Sequence, residues 1–149
     1  MKPEDRDITL EILRKLFAVT GKNYSEKLID YGTSLDNARP LEKHDGYGKF
    51  AAEDCGDVVE VWLRVRDGRI EEEATFQTTG CLPIDAPVAA AVAMAKVRLI
   101  RECLRITRSA LIEDLGGMQK TDCRCALHAA RAFQRALRGH VTGRKGKTG

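Results

Sequence analysis

The chain carries five cysteines, at positions 55, 81, 103, 123 and 125, and an aspartate, Asp57, two residues after the first of them. A thiolate binds soft metal ions and attacks sulfur–sulfur bonds. A carboxylate within reach adds a harder, weaker oxygen ligand. The cysteine count is odd, and the opening residues MKPEDRDITLE lack an apolar signal segment. A disulfide framework is therefore not expected, and metal binding or thiol chemistry is. The same reasoning gives a cytoplasmic location as the expectation.

For these groups to act together the fold must gather them. Val58 to Arg66 alternates in polarity, Asp67-Gly68 follows, and Arg69 to Thr78 forms a second run. Asp-Gly between two such runs predicts a two-residue hairpin. With that turn, Val59 pairs with Phe76, Val61 with Ala74 and Val65 with Ile70 on a core face. Arg64 opposite Glu71 and Trp62 opposite Glu73 make the wetter face. Leu63 opposite Glu72 fits poorly. At the open end Cys55 falls opposite Gly80 and Asp57 opposite Thr78, with Cys81 next along. Cys55 and Asp57 share the parity of Val59 and Val61, so they point to the core face. Gly80 must turn the chain for Cys81 to join them.

Helical patterns surround the hairpin. Residues 4–18 read as an amphipathic helix, a short helix starts at Ser25, and residues 32–46 read as an irregular loop. An alanine-rich helix begins near Pro83 to Pro87, and residues 97–105 and 108–115 look helical, the latter ending at Gly116-Gly117. The last helix spans Cys123 to Leu137, capped by Asp122 or Thr121, which sets Cys125 in its first turn. Helix N-termini stabilise thiolate over thiol, so Cys81 and Cys125 are favoured as reactive groups. Cys55, Asp57, Cys81 and Cys125 together form a four-ligand set suited to zinc or an iron–sulfur cluster.

Tyr24-Ser25-Glu26-Lys27, Cys55-Gly56-Asp57-Val58, Phe76-Gln77-Thr78-Thr79-Gly80-Cys81 and the Gly-Gly pair ahead of Cys125 resemble the IscU/NifU iron–sulfur cluster scaffold family over about residues 24 to 139. The cysteine spacing agrees with the Isc type. It lacks the insertion of the SufU type, a zinc-bearing sulfur acceptor. The resemblance implies an α+β fold, a three-stranded antiparallel sheet with helices packed on one face, to which this chain adds an N-terminal helix. It implies a carrier rather than an enzyme. A [2Fe–2S] cluster, or iron, would be held by Cys55, Asp57, Cys81 and Cys125, with zinc possible in the cluster-free form. Asp57 would be the exchangeable ligand and Cys125 the persulfide acceptor. The implied partners are a cysteine desulfurase, an electron donor such as a ferredoxin, and apo iron–sulfur acceptor proteins. A zinc-bearing sulfur acceptor and a diverged binding or regulatory module are the alternatives.

Several positions depart from the family pattern. Arg124 and Asp122 stand where the family has a histidine and a lysine. Met118-Gln119-Lys120-Thr121 replaces the proline-rich chaperone-recognition segment, which argues against a dedicated Hsp70. Leu82-Pro83-Ile84-Asp85-Ala86-Pro87 replaces a small, serine-rich turn and adds an anion, Asp85, that would raise nearby thiol pKa values. Cys123 competes with Cys125 for the third-ligand role, and the apolar pattern downstream favours Cys125.

The remaining residues read more plainly. Cys103 is expected to be a small core hydrophobe, His128 a surface residue, Asp85 an N-cap, and Glu71–Glu73 a solvated face. The chain has 149 residues and a formal net charge of +3. That length suits one domain: an extension over 1–22, a scaffold domain over 23–139 and a disordered basic tail over 140–149. Arg138, Arg144, Lys145 and Lys147 lie in or beside that tail, which leaves the body near neutral and gives no case for nucleic acid. No apolar run reaches spanning length, so no membrane association is expected. The oligomeric state is open between monomer and dimer.

Overall fold

The structure, a computed structural model, describes residues 11–12, 24–34, 36–53, 56–79 and 82–148, with side-chain surroundings as far as His140. Most of the expected N-terminal helix lies outside these residues; Glu11 and Ile12 are helical. The order is α1 (Glu26–Thr33), β1 (Gly46–Ala51), β2 (Val58–Arg66), β3 (Arg69–Thr78), α2 (Leu82–Ala95), α3 (Ile100–Cys103), α4 (Arg108–Asp114), a 3₁₀ turn (Lys120–Asp122) and α5 (Cys123–Thr148). The strands form one antiparallel sheet in the order β1-β2-β3. Helices pack on its Val59/Val61/Leu63 face. The expected α+β architecture is present.

The hairpin turn is as expected. Asp67 and Gly68 both take positive φ, 53° and 77°, as a two-residue turn matching the strand twist requires. Near it Val65 pairs with Ile70. Beyond it the register is corrected by two residues: Leu63 pairs with Ala74, Trp62 with Thr75, Val61 with Phe76 and Val59 with Thr78. A bulge between Leu63 and Val65 makes the shift. The Val65 N–H, turned out of the ladder, donates to the Asp45 carboxylate at 2.8 Å. The bulge also resolves the poor Leu63–Glu72 pairing, since fully buried Leu63 now meets fully buried Ala74. A shift of two keeps every residue on its face. Arg64 still reaches Glu71 and Glu73, at 3.4 and 3.5 Å. Trp62 is not on a wet surface. It is 8% exposed and tilts against the Tyr47 ring, centroids 5.5 Å apart.

β1 occupies a stretch that local sequence signals leave unassigned. Gly46 and Gly48 face α5, and a Cβ on either would overlap backbone atoms of Ala132 or Ala136. Glycine is there so that strand and helix backbones can touch. α5 also covers the free edge of β1: Arg135 Nη1 donates to the Lys49 carbonyl at 2.7 Å. The β3 edge is closed too. Phe76 N–H donates to Asn37 O, and Ile70 exchanges bonds with Arg98 O and Val97 N–H, each at 2.9 Å. An open edge would template further strands, and neither edge is left open over these positions.

α2 is buried on every side from Ala86 to Val92, as befits a helix apolar all round. Pro87 lies inside it, and the N–H it lacks would have served the carbonyl of Pro83. α1 starts at an N-cap, Ser25, whose hydroxyl accepts from Leu28 N–H at 3.0 Å and donates to the Leu115 carbonyl. The expected helix over 97–105 shrinks to α3. Residues 97–99 instead lie along the hairpin tip, with an isolated Arg69–Leu99 bridge. α5 continues past Leu137, where its apolar pattern ends. No helix among the described residues is long and apolar enough to cross a membrane.

Candidate functional site

Asp57 immediately precedes β2. The chain between β1 and β2 is a short connection closed at its base: Ala52 N–H donates to Asp57 O at 2.8 Å and Gly56 N–H to Ala52 O at 2.9 Å. Gly56 takes φ 73° with open space where a Cβ would stand, so a glycine is needed for conformation rather than room. Cys55 belongs to this connection in sequence, but residues 54–55 lie outside the described set, as do residues 80–81 and therefore Cys81. The expected pairing of Cys55 with Gly80 thus lies outside the description. The observed Val59–Thr78 pair replaces the expected Asp57–Thr78 one.

The open end of β2 and β3 is closed by the side chains of Thr78, Thr79 and Asp85. Val58 N–H donates to Thr79 Oγ1 at 2.9 Å, and Thr79 N–H to Val58 O at 3.1 Å. The Thr78 hydroxyl donates to the Asp85 carboxylate in the first turn of α2. Asp85 is therefore not an N-cap on its own helix; it ties the end of β3 to the start of α2 across residues 79–81. Burial pushes its pKa up, the bond from Thr78 pulls it down, and the Asp57 charge pushes it up further. Two carboxylates thus lie close enough at this end of the sheet for one charge to be felt by the other. Thr78 and Asp85 also form one wall of a cleft of about 200 Å³, whose far side includes Gly32, Ser34 and Ala38. No local pattern signals the Thr78–Asp85 tie.

Cys125 approaches the same end. α5 runs along β1 in steps: Ala136 abuts Gly46, Ala132 abuts Gly48, and His128 stacks on Phe50 with ring centroids 4.9 Å apart. One turn further brings Cys125 level with Ala52, at the base of the Cys55-bearing connection. Cys125 is half-buried against the core, on the helix face of Ala129, Ala132 and Ala136. Cys123 shares its face with Leu127, Ala130 and Gln134. Gln134 Nε2 donates to the carbonyls of Cys103 and Ile106, which marks this as the α3–α4 side. Cys123 Sγ lies 3.5 Å from Gln119 O.

Two local expectations are corrected and a third holds. Neither Asp122 nor Thr121 caps α5. The Lys120–Asp122 turn carries the helix back one turn, so the free N–H groups gather there rather than at Cys125. His128 is 6% exposed, held by the Phe50 stack, and is not a surface residue. Cys103 is fully buried as expected, and burial raises its thiol pKa to about 11. Among the described residues no three His, Cys, Asp or Glu side chains are placed to hold a metal ion; two of the four expected ligands are not described.

The family model for the NifU-like N terminal domain matches residues 23–146. The chain is 40% identical over 114 residues to the iron–sulfur cluster assembly scaffold protein IscU 1 of Archaeoglobus fulgidus, a match covering 76% of this chain and 74% of that one. It is 28% identical over 127 residues to the iron–sulfur cluster assembly scaffold protein IscU of Escherichia coli, covering 83% and 98%. Among solved structures it is similar in fold to FiSufU of Fervidobacterium islandicum, with TM-score 0.63 and 18% identity over 76% of this chain and 96% of that one. With a family match over most of the chain, a relative at 40% identity and a sheet-and-helix fold in common, this chain belongs to the NifU-like N-terminal domain family.

Proposed function

We propose that this protein is a scaffold on which a [2Fe–2S] cluster is built and from which it is passed on, with Cys55, Asp57, Cys81 and Cys125 as the ligands. One observation carries the reading: the Asp57 end of β2, the Thr78–Asp85 tie and the Cys125 turn of α5 converge at one end of the sheet. The family match and the IscU relatives support it. Cys125 is favoured over Cys123 because it lies on the β1-facing side of α5.

Sulfur arrives as a persulfide on a cysteine desulfurase. The Cys125 thiolate attacks the outer sulfur, the donor's S–S bond breaks, and the donor cysteine leaves as thiolate. Two electrons, from a ferredoxin-type donor, then reduce each transferred sulfur to sulfide. Asp57 is an oxygen ligand among sulfur ligands, bound less firmly by iron, and so suits release to apo acceptor proteins. The protein is a carrier, with a cytoplasmic location and no dedicated Hsp70.

Anaerobic reconstitution with ferrous iron, cysteine, a desulfurase and a reduced ferredoxin or dithiol as the electron source tests this. The expected result is a charge-transfer spectrum that is lost in Cys55→Ala and in Cys125→Ala and kept in Cys123→Ala. A protein that stays colourless and iron-free overturns the reading. Tight stoichiometric zinc with accelerated desulfurase turnover replaces it with that of a sulfur acceptor.

A further inference from the structure

α5 holds seven of the chain's 25 lysines and arginines and none of its 22 aspartates and glutamates. Without those seven the formal net charge of +3 becomes −4. Charge is therefore segregated rather than mixed over the surface. Arg131, Arg135 and Arg138 are exposed, at spacings of four and three that align on one helix face. Exposed Arg124, beside Cys125, begins the same row two turns earlier, and from there to Arg138 the row spans about 21 Å. Lys49 of β1 is exposed alongside.

The row is held in place. The Arg131 and Arg135 guanidinium carbons lie 5.4 and 5.2 Å from the Phe50 ring centroid. Arg135 is also fixed by its bond to Lys49 O. Among the described residues no carboxylate pairs with Arg131, Arg135, Arg138 or Lys49. Arginine forks ordered in advance bind carboxylates with less entropic loss than mobile ones.

We propose that this arginine row is a docking surface for an acidic segment of a partner protein that exchanges cargo at the Cys125 end of α5. The cargo rests on the scaffold reading; the binding does not. A nucleic acid fits less well. None of the large hydrophobics left exposed among the described residues lies on α5 to stack a base. A long polyanion would also run past the row onto the rest of the molecule, which is net acidic, whereas a short acidic segment ends within the row.

The test uses the full chain, Arg131→Glu/Arg138→Glu and Arg131→Lys/Arg138→Lys, leaving Arg135 in place because it covers the β1 edge. Fluorescence anisotropy follows a labelled short polyglutamate peptide and a thymidine oligonucleotide of matched length. Thermal melts confirm that the variants fold. The charge reversal is expected to weaken peptide binding by about tenfold or more, and the lysine variant by only about threefold. Persulfide labelling of Cys125 should slow in the reversal at limiting desulfurase and recover when the desulfurase is in excess. Unchanged peptide affinity in the reversal overturns the proposal. So does tighter binding of the oligonucleotide, or a wild-type dimer that the reversal dissolves. If peptide binding behaves as expected but Cys125 never acquires a persulfide, the scaffold reading fails and the docking surface stands.

Discussion

Three side chains illustrate how environment sets behaviour at the scale of a residue. Cys103 is fully buried with a thiol pKa of about 11. At pH 8 about one molecule in a thousand then carries the thiolate. Iodoacetamide on the native protein should modify Cys103 last of the five, as read by peptide mass spectrometry; early modification would contradict its burial. Asp85 behaves in the opposite way to a salt-bridged carboxylate. Its folded pKa is raised, so its contribution to stability is fully present below the unfolded-state pKa and is lost as pH rises through the folded one. Asp85→Asn keeps an acceptor for Thr78 and removes the charge facing Asp57. It should raise stability at neutral pH and flatten the acid-side dependence in urea titrations, whereas Asp85→Ala should destabilise. Val97 is the third case. It is 57% exposed and sits at φ 59°, a conformation costly for a β-branched side chain. Val97→Asn is expected to add about 1 kcal/mol of stability; a loss would show that the exposed valine makes contacts its position conceals.

Between elements, the decisive contact is the one between β1 and α5. Gly48→Ala would drive a methyl group into the backbone at Ala132 and Ala136, where nothing flexible can yield. A loss of about 1–3 kcal/mol is expected in chemical denaturation, and a neutral result would mean that the helix can move away. This contact also explains what the sequence could and could not disclose. The Asp-Gly turn, the alternation of β2 and β3 and the Ser25 cap are local devices, and local patterns reveal them. β1 carries no local strand signal because its glycines serve a helix some 85 residues downstream. The register beyond Leu63 is not local for a related reason: the bulge is held by Asp45, from the loop just ahead of β1. Its one trace in the sequence was the mismatch of Leu63 with Glu72. Spacing and resemblance name the cysteine–aspartate set, of which Cys55 and Cys81 lie outside the described residues, while the Thr78–Asp85 tie and the buried His128 depend on tertiary neighbours.

For the molecule as a whole, the core is a single cluster running from Tyr24 to Leu137, with Phe133 its largest fully buried side chain. No described core residue lies beyond Leu137. Truncation after Gly139 should therefore leave the melting temperature within about 2 °C of the full chain, while removing Arg144, Lys145 and Lys147 and bringing the formal charge from +3 to 0. A larger fall, read by calorimetry, would assign the end of α5 a structural task. Arg131, Arg135 and Arg138 remain in the shortened chain, so polyglutamate binding should persist.

The contact of Gly46 and Gly48 with Ala136 and Ala132 works as a ratchet. Backbone bumps on the helix seat between bumps on the strand, so α5 can rest against β1 only at discrete heights. The height of Cys125 above the sheet is thereby fixed in steps of one helical turn, about 5.4 Å. A single-residue insertion directly after Cys125 would leave the glycine seats and the buried residues from Ala126 onward in place. It would swing the thiol about 100° around the helix axis, and a well-folded protein would then have its third sulfur facing the wrong way.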